Sequence, residues 1–155
     1  MTTAFLTISV LALTVAVLIN SLNKLQCRRN AALAALAALR EHIEIRRKAI
    51  LNMAENDEDL LKSGVFAALK NAPITEKSAG AAAMAATEAQ FERLIESLAP
   101  QMKAQQKKLI SEAGHKTDRA AAHYNRCVCE YNTALSALPA AFFARLYKFK
   151  RFEVF

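Results

Sequence analysis

AFLTISVLALTVAVLINSL, residues 4–22, decides the fold: nineteen residues carry no charge, and eleven of them are Leu, Ile, Val or Phe. At about 1.5 Å of rise per residue, such a helix spans roughly 28 Å, against a hydrocarbon thickness of about 30 Å. Phe5, Leu6, Ile8, Leu11, Leu13, Leu18 and Ile19 are the expected lipid contacts. Near the bilayer centre each such side chain is favourable by roughly 0.3–0.6 kcal/mol, which outweighs Thr7, Ser9 and Thr14. A cleaved signal needs basic residues before the apolar run and a small-x-small site after it. Residues 1–3 contain no basic side chain, and residues 21–27 (SLNKLQC) lack that site and the small residue that precedes a lipoprotein cysteine. The helix of a small soluble core should show a polar stripe, and this run is apolar on every face. Lys24, Arg28 and Arg29 follow the run with no cation before it, so the positive-inside bias places the C-terminal body in the cytoplasm and residues 1–3 outside.

Beyond the anchor about 130 residues remain, enough for one domain with its own core. Gly and Pro number three each and Ala is abundant, which favours helices; strand-like alternation is absent. The formal net charge of +7 suits an anionic inner leaflet. Nucleic acid is disfavoured because no finger, helix-turn-helix or RNP pattern accompanies the charge. Cys27, Cys127 and Cys129 are expected to be reduced in a cytoplasmic body. Cys127 and Cys129, two apart on a helix, point in different directions and lack a second pair, so small apolar filler is the expected role. His42, His115 and His123 stand apart from any metal or triad pattern. Neither a cofactor, a metal nor a catalytic residue is expected. Glu96, Asp118 and Glu130 are the candidate acids and show no evident partners.

After the anchor the apolar period changes. Leu18, Leu22, Leu25, Leu33, Leu36, Ile43 and Ile50 fall near a 3.5-residue repeat, with Arg29 and Arg47 in interrupted places, which predicts a coiled-coil-like seam. No Gly or Pro occurs before Gly64, so anchor and first cytoplasmic helix are expected to form one rod of about 75 Å reaching Met53 or Ala54. The Ala-rich surface of residues 30–39 (NAALAALAAL) invites lateral self-association. Asn56–Asp59 reads as a break and a new start, leading to a helix that ends near Lys70 and is weakened at Gly64. Thr75 or Ser78 is the expected cap of a third helix over residues 79–98, with Met84, Phe91, Leu94, Ile95 and Leu98 on its apolar face. Pro100 marks a boundary, and a fourth helix is predicted from Gln101 through Gly114 to Ser136.

Tyr124, Val128, Tyr131, Leu135 and Leu138 form a helical stripe, with Asn125 and Asn132 seven apart beside it. The expected role is packing: tyrosine fills a core and its hydroxyl finds a partner, while asparagine fixes register between helices. Pro139 bends or restarts the chain. In residues 140–155, Phe142, Phe143, Tyr147, Phe149, Phe152 and Phe155 alternate with Arg145, Lys148, Lys150 and Arg151. A short amphipathic helix over residues 139–155 is predicted, suited to a membrane surface, to the bundle or another subunit, or more remotely to single-stranded nucleic acid.

Residues 124–155 resemble the C-terminal signature of the LemA family. The resemblance rests on the two Tyr-Asn pairs, Leu138-Pro139, Ala144, Phe149 and Phe152-Glu153. Residues 96–104 (ESLAPQMKA) are similar to the family's glutamate-x-tyrosine-proline-x-leucine-lysine-alanine turn, with Ala99 in place of the tyrosine. The sequence departs from the family at residues 31–36 (AALAAL) and at Ala121 and Ala122, where arginines are usual. The resemblance implies a bacterial inner or internal membrane and an anchored antiparallel helical bundle with no known catalytic site. Members have been linked to magnetosome membranes and to gene neighbourhoods containing a membrane protease.

The combined expectation is an all-α chain: an anchor at 4–22, a bundle at 23–138 and a terminal helix at 139–155. Its expected function is a non-enzymatic, self-associating scaffold that organises or remodels the membrane; the alternative is an adaptor for a membrane protease or other envelope protein. Leu33, Leu36, Ile43, Tyr124, Asn125, Tyr131, Asn132 and Pro139 are the expected structural or oligomer contacts.

Overall fold

The computed structural model of the chain describes residues 2–72, 80–137 and 139–155, and their side chains except at residues 2–4, 6, 7 and 59. It is all-α, with no strand among the described residues. Helix α1 (Thr2–Glu55) runs for 54 residues without a break, as the lack of Gly and Pro requires. Short helices α2 (Glu58–Leu61) and α3 (Gly64–Lys70) follow. Helix α4 (Ala81–Leu98), a 3₁₀ turn at Ala99–Gln101, α5 (Ala104–Ser136) and α6 (Ala140–Leu146) complete the chain.

Two local expectations change. The single helix predicted up to Lys70 is two helices, because Ser63 leaves helical geometry and its hydroxyl accepts from the Val65 amide at 3.1 Å, capping α3. Gly80, not Thr75 or Ser78, precedes α4; those two residues and Leu138 lie outside the described residues. By contrast α5 continues through Gly114 to Ser136, and Pro139 stands at the start of α6.

The chain divides into two compact units. The first contains Met1–Ala34 and Arg126–Phe152. Leu25, Tyr131, Leu135 and Ala140 form its buried cluster, with Phe149 and Phe152 packed against it. Leu25 clusters with Tyr131 and Leu135, while Arg28, three residues on, donates to the Glu130 carbonyl at 3.4 Å, so α5 runs antiparallel to α1.

The second unit contains Ala35–Asn125 and Glu153–Phe155. Its cluster joins Ile50 and Ala54 of α1 to Leu60, Phe66, Leu69, Phe91, Ile95, Leu98 and Met102. Met84, Phe91, Ile95 and Leu98 of the predicted α4 face are buried, and Leu94 is half-buried. Arg40 reaches the Met84 sulfur at 3.3 Å, Arg46 reaches Glu88 at 2.8 Å, and the Arg47 guanidinium stands 4.4 Å from the Phe91 ring centre. These pairs advance in step, so α4 runs parallel to α1, while the antiparallel relation belongs to α1 and α5.

The buried face of α1 is turned by about one position from the predicted seam. Leu25, Ala32, Leu39 and Arg46 repeat every seven residues on the inside, with Ala35, Ile50 and Ala54. Leu33 is exposed, and Leu36 and Ile43 are half-buried. Alanine methyls at 32 and 35 admit close neighbours, so part of the Ala run serves the chain's own packing.

The rotation carries Arg46 into the interior, where it is 6% exposed, while Arg47 is half-buried with its Nε and Nη2 shut away from solvent. Its guanidinium holds Glu88 and also Glu92, one turn further along α4. Burial pushes the Glu88 carboxyl up from its ordinary range, and Arg46 and Arg47 draw it back. Burial likewise lowers the Arg47 guanidinium, against the pull of Glu88. Arg46→Ala should lower stability by about 3–5 kcal/mol by leaving Glu88 buried without its cation. Arg46→Met combined with Glu88→Leu should recover most of that loss; denaturant unfolding followed by circular dichroism measures both.

Candidate functional site

The Tyr-Asn pairs grip the main chain of the C-terminal residues, where register between packed helices was expected. In the first unit the Tyr131 hydroxyl donates to the Lys150 carbonyl at 3.0 Å. The Asn132 carboxamide donates to the Phe152 carbonyl at 2.9 Å and accepts from the Phe152 amide at 3.1 Å. In the second unit Tyr124 donates to the Glu153 carbonyl at 2.7 Å. Asn125 donates to the Phe155 carbonyl at 3.1 Å and accepts from its amide at 2.8 Å. Each asparagine thus completes both main-chain groups of one residue, as a neighbouring strand would. Seven residues of helix rise about 10.5 Å and three extended residues about 10 Å. The seven-residue repeat on α5 therefore matches acceptors three apart in the tail, Lys150 with Glu153 and Phe152 with Phe155.

This arrangement replaces the helix predicted over residues 139–155. Helix α6 ends at Leu146 and the chain reverses at Lys148, whose φ of 52° lies in the left-handed region. The Phe149 amide donates to the Ala144 carbonyl at 3.0 Å and the Lys148 amide to the Arg145 carbonyl at 3.4 Å, a Schellman ending with lysine in the place glycine prefers. Beyond it the tail has no helical bonds of its own and depends on α5 for partners.

The reversal sorts the predicted surface residues. Phe149 and Phe152 pack inward, with the Phe152 ring 4.9 Å from that of Tyr131, and Arg29 lies over Phe149 at 5.5 Å. Phe143 is half-buried, in contact with Phe142 at 5.8 Å and Tyr147 at 6.4 Å between ring centres. Phe142, Leu146 and Tyr147 remain exposed beside the exposed cations Arg145 and Lys148. Lys150 and Arg151 are exposed too, with Arg151 donating to the Ser136 hydroxyl at 2.9 Å.

Among the described residues α1 supplies one candidate membrane span, with 6% of its apolar window buried. Phe5 is 72% exposed, and Ile8, Leu11, Leu13 and Ile19 are exposed as well; Leu18 is half-buried, and the Leu6 side chain lies outside the described set. Charge follows the same division. The first unit's stretches hold eight of the 21 basic residues and one of the 14 acids, Glu130. That difference equals the whole formal net charge of +7, and the second unit balances thirteen against thirteen.

Other polar groups have structural partners. Asp57 is buried and accepts from Lys103 at 2.9 Å and Gln106 at 3.0 Å, tying the α1–α2 break to the start of α5. A cavity of about 520 Å³ lies between α1, α3 and α4, bordered by Leu69, Met84 and Phe91 and by the already engaged Arg47 and Glu88. Cys127 is buried, whereas Cys27 and Cys129 are exposed, and none of the three is in a disulfide. Arg46 and Glu88 were not singled out from sequence, although Glu88 falls at helical spacing between Met84 and Phe91, and Asp57 was read only as part of the break at Asn56–Asp59.

Asn132→Ala removes two bonds and should weaken the fold by about 1–3 kcal/mol. Hydrogen exchange should rise in residues 149–155 and stay unchanged in residues 104–120. Burial pushes the Tyr124 and Tyr131 phenols above their ordinary 10, with Glu153 adding to Tyr124. The unfolded chain releases these protons first, so the hold is complete below pH 10 and lost as pH rises through the folded values. In a Tyr147→Phe chain, phenolate absorbance and tail release should rise together above pH 10.

Comparison with protein-family models, curated proteins and solved structures finds no match to this chain.

Proposed function

We propose that this protein is a non-enzymatic, single-pass membrane scaffold whose helical body lies on the cytoplasmic side and associates with further copies of itself. The observation that carries the reading is the exposed, all-round apolar start of α1, in a chain whose cores are built from the later part of α1 and the remaining helices. Lys24, Arg28 and Arg29 immediately after it favour a cytoplasmic body. The scaffold role is supported by where the polar chemistry goes. Arg46, Glu88, Asp57 and both Tyr-Asn pairs are engaged in holding elements together. The LemA resemblance points to the same layout.

Self-association is supported by one exposed face of α1. Cys27, Ala31, Ala34 and Ala38 recur at helical spacing and are exposed, with Ile45 further along. Small residues on such a face let a second helix approach closely.

Carbonate washing should leave the full-length chain in the membrane, and its mass should include residues 1–22. Release by carbonate, or loss of those residues, overturns the anchor. In a Cys129→Ser background, mild oxidation in membranes should join copies through Cys27, and Cys27→Ser should abolish the product. A chain that is monomeric in detergent and gives no product in vesicles overturns the self-association.

A further inference from the structure

We propose that α6 is an interfacial foot: Phe142, Leu146 and Tyr147 enter the surface of an anionic phospholipid leaflet at the base of α1, flanked by Arg145 and Lys148. The proposal rests on the anchor reading above and adds a second membrane contact with a defined lipid chemistry.

Three observations within the first unit support it. Ala140, the first residue of α6, belongs to the cluster of Leu25, Tyr131 and Leu135. Leu25 lies three residues beyond the end of the apolar run at Leu22, so α6 stands at the level where that run leaves the hydrocarbon. The Schellman ending and the Tyr131 and Asn132 bonds turn the following chain inward, and α6 keeps an uncovered apolar face. Phe142 is 64% exposed, Leu146 61% and Tyr147 57%. Phenyl and phenol rings on a short basic helix match the headgroup boundary, where rings meet acyl chains and cations meet phosphate.

Charge selects the lipid. The first unit carries the whole formal net charge, with Lys24, Arg28 and Arg29 beside the apolar run and Arg145 and Lys148 on and just after α6. A unit with eight basic residues and one acid is complementary to an anionic leaflet and gains little from a zwitterionic one.

The chain contains no tryptophan, so a single introduced indole reports its own position. Full-length Phe142→Trp is reconstituted into phosphatidylcholine vesicles with and without phosphatidylglycerol, using lipids brominated near the headgroup end of the acyl chain. Val17→Trp serves as the anchor control and Leu109→Trp as the exposed control on α5. The expected result is quenching of Phe142→Trp several-fold above Leu109→Trp, stronger with phosphatidylglycerol and reduced by Arg145→Glu with Lys148→Glu. Quenching of Val17→Trp with none of Phe142→Trp beyond the exposed control overturns the foot and leaves the anchor standing. A blue-shifted but unquenched Phe142→Trp assigns the face to protein and overturns the lipid reading. Equal quenching in both vesicles overturns the anionic selectivity, and an unquenched Val17→Trp overturns anchor and foot together.

Discussion

Two asparagine carboxamides, each pairing with the amide and carbonyl of a single residue, hold the end of this chain in place. An extended segment outside a sheet has no partner for its main chain, and leaving such groups unpaired while its aromatic rings pack inward is costly. Asn125 and Asn132 supply what a neighbouring strand would supply, and Tyr124 and Tyr131 add one donor each. The remaining C-terminal features depend on that hold. With the tail drawn back, Phe149 and Phe152 close the Leu25 cluster and α6 is left with its other rings outside.

The ionic groups show a parallel division of labour. Glu88 and Glu92, one turn apart on α4, are like charges at a spacing that disfavours a helix alone. The Arg46 guanidinium meets both, and its flat fork suits two carboxylates better than an ammonium would. That arrangement fixes α4 against α1 at a defined register, as a buried polar group does when its alternatives leave a charge unmatched. The second unit is electrically neutral by composition, while the first carries the excess and the apolar helix together.

The all-α class, the unbroken first helix and the apolar faces of α4 and α5 were legible from residues alone. They follow from local rules: no Gly or Pro before Gly64, and buried residues at helical spacing at Met84, Phe91, Ile95 and Leu98 or Tyr124, Val128, Tyr131 and Leu135. The seam on α1 was legible only to within one position. In an Ala-Leu alternation several faces have nearly the same apolar character, and the choice among them falls to whatever packs against the helix.

Sequence by itself determined where helices form, where the long apolar run lies and that the two Tyr-Asn pairs share one face of α5, since each depends on neighbours within a turn or two. Tertiary structure alone decided that Arg46 is drawn inside onto Glu88, that α4 runs parallel to α1, and that residues 149–155 are an extended tail, not a helix. The reason is physical: aromatic and basic residues at 140–155 have no strong local preference, and hydrogen bonds from side chains about twenty to thirty positions earlier outweigh it. A partner that distant leaves no mark on local periodicity.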